Sequence, residues 1–144
     1  MITHLPNTRI AADIASCVVR VSNMDRSLKF YCDVFSCRVG IRESDMALLL
    51  TPNGFQLYLQ EDRRFRHRGP GTIGVQHLMW ATDSESDLER IAERLKAYDV
   101  AIYSYTQGGV HFVEGCDPDR ERVIVACPSP WQLPREVIAK RLRG

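Results

Sequence analysis

The sequence lacks the features that mark several large classes of protein. It has no apolar run near the roughly 20 residues needed to span a bilayer, and its first residues lack the basic and apolar segments of a signal peptide. The net charge of +1 gives no reason to expect nucleic acid or an anionic membrane as a partner. We therefore expect a protein that binds neither nucleic acid nor membrane.

Motifs for covalent catalysis and phosphate binding are also missing. No GxSxG sequence occurs, and no glycine-rich phosphate loop is present. The five cysteines are an odd number without CxxC spacing, and Cys17 and Cys127 lie in apolar stretches where a thiol behaves as a small hydrophobe. This pattern predicts a reducing, cytoplasmic setting and indicates neither a serine nor a cysteine nucleophile.

The sequence does contain one pattern that occurs twice. Residues 76–95 (QHLMWATDSESDLERIAERL) have the pattern of a buried strand, a capped turn and an amphipathic helix. Ser84 or Ser86 can cap this helix, because a serine oxygen accepts from the free N–H groups of the first turn. Residues 16–35 repeat the design, with Ser22 and Asn23 as cap candidates and the same spacing of apolar residues along the helix.

Three further strands follow each helix. The first copy is expected to have strands at 15–21, 38–42, 46–50 and 55–60 and a helix at 24–35. The second copy is expected to have strands at 75–82, 100–103, 110–114 and 122–127 and a helix at 87–97. The prediction is one α+β domain over 1–144, with module one at 13–60, a linker at 61–74, module two at 75–128 and a tail at 129–144. The tail is expected to carry a short amphipathic helix at 135–142 and to be anchored by Trp131 and Leu133.

The repeated βαβββ order, VRVSNMDRSLKFYCDVF and EGCDPDRERVIV resemble the vicinal oxygen chelate superfamily. This superfamily includes glyoxalase I, bleomycin-resistance proteins and extradiol dioxygenases. GVQHLMWATDSESDLERIAERLKAYDV looks most like a module of the extradiol dioxygenase branch. The resemblance implies two tandem βαβββ modules that form a cup-shaped mixed β-sheet, with helices on the outside and a small-molecule site in the cup. The DPDG turn of the family reads Asp117-Pro-Asp-Arg120 here, so a strained or altered hairpin is expected.

The resemblance also implies four metal-ligand positions, which catalytic members fill with His, Gln or Glu. The corresponding residues here are Ser16, Gln56, His77 and Ile124. His77 is the only good ligand among them, Gln56 is a weak one, and Ile124 cannot coordinate a metal. Catalysis of this kind needs about three converging protein ligands with open positions for the substrate. We therefore expect a degenerate metal centre and no cofactor, or a divalent Fe, Mn, Zn or Ni if the protein is an enzyme.

Strand alternation assigns further residues to the cup. The expected ligand-binding residues are Ser16, Gln56, Tyr58, His77, Met79 and Ile124. An apolar wall with an amide, a phenol and an imidazole suits a small organic ligand. His77 can equally be a hydrogen-bonded interior histidine, and Tyr58 and Gln56 can bond only each other. The alternation does not decide which face His111 occupies.

Three functions remain open at this point. The first is a protein that binds a small organic ligand, aromatic compounds included, without a metal. The second is a metal-dependent ring-cleaving dioxygenase or glyoxalase-like lyase whose ligands lie elsewhere. The third is a structural module of a larger assembly, in which the proline-bounded tail packs on another subunit. The overall expectation is a homodimer with a small-molecule ligand.

Overall fold

A computed structural model describes residues 10–64 and 73–143 as two four-stranded sheets and two long helices. Module one contains β1 (Ser16–Val21), α1 (Met24–Phe35), β2 (Arg38–Arg42), β3 (Met46–Leu50) and β4 (Gln56–Glu61). Module two contains β5 (Leu78–Ala81), α2 (Glu85–Lys96), β6 (Tyr103–Gln107), β7 (Val110–Cys116) and β8 (Arg122–Cys127). The predicted α+β fold with two tandem βαβββ modules is confirmed. Residues 65–72 of the predicted linker lie outside the described residues.

The two sheets have the same topology. Sheet A has the strand order β1-β4-β3-β2, and sheet B has the order β5-β8-β7-β6. In each sheet the first strand pairs in parallel with the last strand of the module, and the other pairs are antiparallel. Within the described residues no strand of one sheet pairs with a strand of the other. The sheets are therefore not closed into a single sheet within the chain.

Both long helices begin at the predicted caps. The side chain of Asn23 accepts a hydrogen bond from the backbone N–H of Arg26, and Ser84 accepts one from the N–H of Asp87. The predicted start of the second helix was two residues late, because Ser84 rather than Ser86 is the cap. In the described part of the chain no helix is both long and apolar enough to cross a membrane.

The two modules share one hydrophobic core. Phe30 and Val34 of α1 are fully buried, and the ring of Phe35 stacks on Trp80 of module two with centroids 3.8 Å apart. The same cluster contains residues of α2 and of the helix-facing sides of both sheets. A βαβββ unit of this size buries only a small fraction of its surface and is marginally stable alone. Packing the helix faces of both modules together gives one larger core. The opposite faces of the sheets, which we call the cup faces, are turned away from this core.

A polar contact also ties module two to module one. The carboxylate of Asp119 accepts hydrogen bonds from the backbone N–H and the hydroxyl of Ser22 and from the guanidinium of Arg26. The hydroxyl of Tyr31 donates to buried Asp117 at 3.0 Å. These bonds hold the β7–β8 turn against the start of α1.

Two strands of module two differ from the prediction. Strand β6 was predicted at 100–103 but spans Tyr103–Gln107. Gly108 and Gly109 both have positive φ and form a two-residue hairpin turn, so β6 continues up to Gln107, which pairs with Val110. Strand β5 begins at Leu78 instead of 75, and His77 lies immediately before it.

The predicted amphipathic helix at 135–142 is wrong. Residues 129–143, which we call the strap, contain only a 3-10 helix at Lys140–Arg143. The guanidinium of Arg135 donates to the carbonyls of Leu133 and Pro128, and Ala139 packs on the cup face of sheet B. Burial against an existing sheet therefore replaces helix formation. Leu133 packs there as predicted, but Trp131 is 87% exposed and anchors nothing.

The β7–β8 turn yields a stability prediction. Arg120 has φ of 65°, in the left-handed region that favours glycine, and its side chain is exposed. We expect Arg120→Gly to raise the free energy of unfolding by about 0.5–1 kcal/mol, because relief of the backbone strain exceeds the added entropy of the unfolded chain. Urea denaturation measures the change. Arg120→Ala keeps the Cβ atom and should give no gain, and a Gly variant no more stable than the Ala variant contradicts the prediction.

Candidate functional site

Sheet A contributes an open, polar half-site. Ser16 at the start of β1 is the register partner of Gln56 on β4, and both are exposed. Tyr58 lies two residues along β4 and donates a long hydrogen bond of 3.4 Å to the side-chain oxygen of Gln56. Val18, on the same face, is 60% exposed. These four side chains form a surface across the edge strand β1 and its neighbour β4, on which only Tyr58 is partly buried.

Sheet B contributes a half-site that is mostly covered. Met79 on β5 is the register partner of Ile124 on β8. Met79 is 45% exposed, whereas Ile124 is fully buried beneath the strap. A ligand can therefore touch Met79 directly but reaches Ile124 only if the strap moves.

His77 continues the row of cup-face residues beyond Met79. Its imidazole is half-buried, and its pKa is lowered first by burial and then by the positive charge of Arg122, with Glu114 opposing both effects. The imidazole is consequently neutral at pH 7 and offers one donor and one acceptor.

The two half-sites do not meet within one chain. Among residues 10–64 and 73–143, no strand pairing, hydrogen bond or shared apolar cluster joins Ser16, Gln56 and Tyr58 to His77, Met79 and Ile124. A cavity of about 870 Å³ runs along the outer edge of β5 and is lined by Leu78 and Trp80 on one side of the strand and Met79 and Ala81 on the other. No residue of β1 lines this cavity, and among the described residues β1 and β5 belong to separate sheets and do not pair.

The interior of the sheet B half-site contains a buried charged network. Glu114 on β7 is 4% exposed and is the register partner of Ile124. Its carboxylate accepts hydrogen bonds from Arg122 at 2.5 Å, from Arg141 of the strap at 2.8 Å and from the hydroxyl of Tyr105 at 2.8 Å. Burial alone would raise the pKa of Glu114, but the hydrogen bonds from Arg141, Arg122 and Tyr105 outweigh it and lower the pKa to about 2. The carboxylate is therefore ionised across the physiological range.

This network was not predicted from the sequence, although part of it left a signal there. Glu114 continues the alternation of Val110 and Phe112 along a predicted strand, so its side chain had to face the same covered side. A buried carboxylate needs partners, and Arg122 opens the neighbouring predicted strand. Nothing in the sequence pointed to Arg141.

His111 lies outside the cup. Its Nδ1 atom is 2.6 Å from a carboxylate oxygen of Glu85 at the start of α2. It alternates with Phe112, which faces the strap, so it occupies the helix-facing side of β7. This contact decides the face that the sequence left open.

The model of the Glyoxalase/Bleomycin resistance protein/Dioxygenase superfamily matches residues 13–107. The chain belongs to this superfamily. No curated protein sequence gives a match.

Solved structures of superfamily members have the same fold. A glyoxylase/bleomycin resistance protein/dioxygenase domain from Frankia sp. EAN1pec superposes with a TM-score of 0.73 at 19% identity, covering 82% of this chain and 98% of that one. Lactoylglutathione lyase from Agrobacterium tumefaciens has a TM-score of 0.66 at 16% identity, covering 85% and 98%. The fosfomycin resistance protein FosX from Mesorhizobium loti has a TM-score of 0.62 at 14% identity, covering 86% and 98%. At these identities the likeness shows the fold alone.

The residues at the family's metal positions do not fit a catalytic metal. His77 is one good ligand, Gln56 is a weak one, and buried Ile124 has no donor atom. Among the described residues no group of three or more His, Cys, Asp or Glu side chains could hold a metal ion. This donor set falls short of the about three ligands that such a site needs.

The Glu114 network predicts a specific dependence of stability on pH. Because the pKa of Glu114 is lowered from 4.5 to about 2 in the folded state, its contribution is complete above pH 4.5 and is lost as the pH falls towards 2. Between these pH values the free energy of unfolding should fall by roughly 3 kcal/mol more in the wild type than in Glu114→Gln. Urea denaturation at a series of pH values measures both slopes. Glu89→Gln, on the exposed face of α2, should keep the wild-type slope, and equal slopes for Glu114→Gln and wild type contradict the prediction.

Proposed function

We propose that this protein is a homodimer that binds a small organic ligand, aromatic compounds included, without a catalytic metal. The ligand lies in a cup between sheet A of one protomer and sheet B of its partner. The observation that carries the proposal is the division of the predicted site: Gln56 and Tyr58 lie on one sheet and His77 and Met79 on the other, and the two sets do not meet in one chain.

The edges of the two sheets support this arrangement. Within the described residues, β1 pairs only with β4, and β5 pairs only with β8. Open edges expose unpaired N–H and C=O groups that folded proteins normally cover. Val18 on β1 and Met79 on β5 are both large, apolar and exposed. Placing β1 of one protomer beside β5 of its partner covers both edges, and a two-fold axis repeats the contact to give two cups.

The side chains of the combined cup favour a small, mostly apolar ligand. Met79 supplies an apolar wall, and Tyr58, Gln56 and the neutral imidazole of His77 supply a few donors and acceptors. Two structural neighbours are named for small compounds, lactoylglutathione and fosfomycin, and this supports a small-molecule ligand. All five cysteines are free thiols, which supports a reducing, cytoplasmic setting.

The dimer can be tested at the edge of β1. Val18→Arg places a charge on the exposed apolar edge and should convert the protein from dimer to monomer in sedimentation velocity. Val100→Arg makes the same substitution at a residue that is 90% exposed between α2 and β6, and it should leave the dimer intact. A wild type that is monomeric, or a Val18→Arg variant that stays dimeric, contradicts the arrangement.

The ligand and the metal can be tested at His77. Protein purified without chelator should contain far less than one equivalent of Fe, Mn, Zn or Ni per protomer by elemental analysis. A screen of aromatic compounds by thermal shift should give a ligand that binds His77→Ala about tenfold more weakly, because one hydrogen bond is lost. His111→Ala, on the other face, should bind like the wild type. A full equivalent of metal that disappears in His77→Ala would overturn the proposal in favour of a metal-dependent dioxygenase or lyase.

A further inference from the structure

A guanidinium group from the strap occupies the cup face of sheet B. The Nη2 and Nε atoms of Arg141 lie 2.8 and 3.1 Å from one carboxylate oxygen of Glu114. The guanidinium carbon lies 4.4 Å from the ring centroid of Tyr103 and 5.8 Å from that of Tyr105. A flat cation is thus held by a buried carboxylate at its edge and by aromatic rings at its face, which is how proteins recognise guanidinium groups.

The residues that surround this group belong to the sheet and not to the strap. Arg122 on β8 donates to both oxygens of Glu114, at 2.5 and 3.2 Å, and Tyr105 on β6 donates to one of them. The ring of Tyr105 is in turn stacked on Phe112, with centroids 4.8 Å apart. The carboxylate and Tyr105 are therefore held in place by bonds that do not involve the side chain of Arg141. The strap supplies the guanidinium and the backbone carbonyl of Arg141, which accepts a hydrogen bond from Nη2 of Arg122 at 2.8 Å and is retained when the Arg141 side chain is removed.

We propose that the cup face of sheet B is a recognition site for a planar guanidinium or amidinium group, which Arg141 fills from within the chain. A ligand that carries such a group binds by displacing Arg141 from Glu114 and Tyr103. This inference rests on the proposed function, because it assumes that the ligand binds in the cup. Glu114 is the register partner of Ile124, and Ile124 is that of Met79, so the network and Met79 lie on one face of sheet B.

The chemistry of the site selects this class of ligand. A carboxylate has about four acceptor positions, and removal of Arg141 would leave one oxygen of Glu114 with a single bond of 3.2 Å from Arg122. A guanidinium or amidinium fills this vacancy with two N–H groups from its planar fork directed at the same oxygen, as Arg141 does, whereas an ammonium has no such planar fork. The side chain of Arg141 is 46% exposed, so the site opens to solvent where Arg141 now lies. The 3-10 helix is held nearby by a bond from the backbone N–H of Lys140 to Gln107.

Chemical rescue of Arg141→Ala tests the proposal. The variant should melt at a lower temperature than the wild type, and methylguanidinium or benzamidinium should raise its melting temperature in a saturable way. At a concentration about tenfold above the dissociation constant, the folded-to-unfolded ratio rises about elevenfold. Methylammonium at equal ionic strength should give no rescue, and Glu114→Gln/Arg141→Ala should lose it.

Arg143→Ala is the matched control. The side chain of Arg143 lies in the same 3-10 helix, is exposed and forms no hydrogen bond or ion pair with the described residues. The two cations should therefore stabilise Arg143→Ala no more than the wild type, and both much less than Arg141→Ala, because in them a ligand must first displace Arg141. Equal effects on Arg141→Ala, Arg143→Ala and wild type, or no saturable effect on Arg141→Ala, overturn the proposal. If Arg141→Ala does not fold, hydrogen exchange of residues 139–143 in the wild type decides instead. Saturating benzamidinium should accelerate this exchange and methylammonium should not, and equal exchange rates overturn the proposal.

None of these measurements uses the unidentified ligand or the dimer. Rescue by methylguanidinium in a protein that is monomeric supports the guanidinium site and contradicts the dimeric cup. A dimer whose aromatic ligand depends on His77, combined with no rescue of Arg141→Ala, supports the cup and contradicts the guanidinium site. The failure of one proposal is therefore distinguishable from the failure of the other.

Discussion

The shared core between the two modules is the constraint on which the rest of the structure depends. In each module one long helix packs on the apolar face of the sheet. Phe35 at the end of α1 stacks on Trp80 of module two, so the apolar face of one module's helix is covered partly by the other module. Because the helix faces of both modules pack together, the chain buries a larger fraction of its apolar surface in a single core. The consequence is that both cup faces are turned away from the core and that β1 and β5 keep open edges.

The two cup faces carry different side chains, although the two sheets have the same strand order. Sheet A presents Ser16, Gln56 and exposed Val18, and in the described residues its site is uncovered. The corresponding part of sheet B holds Ile124 and Glu114, both buried, and the strap lies over them. The same strand order therefore supports an open polar surface in one module and a filled, charge-lined pocket in the other.

Elements whose formation depends on residues close in sequence could be predicted from short stretches of the chain. The caps at Asn23 and Ser84 act on N–H groups three residues away, so the helix starts could be inferred from short stretches. Leu57 and Val125 lie in the core, as strand alternation requires once their neighbours Gln56 and Ile124 are assigned to the cup. The strap was mispredicted because the pattern of residues 135–142, taken in isolation, fits a helix. Contact with sheet B, which a local pattern does not contain, overrides that preference.

The sequence by itself determined the two βαβββ modules and their helix caps, because each of these depends on residue type and short-range spacing. Only the tertiary structure decided that the predicted site is split between two sheets and that Arg141 reaches Glu114. That contact joins residues 27 positions apart through a buried carboxylate, and its energy exists only once sheet B has formed and excluded water. Long-range electrostatic pairs of this kind are set by packing, which no periodicity in the chain encodes.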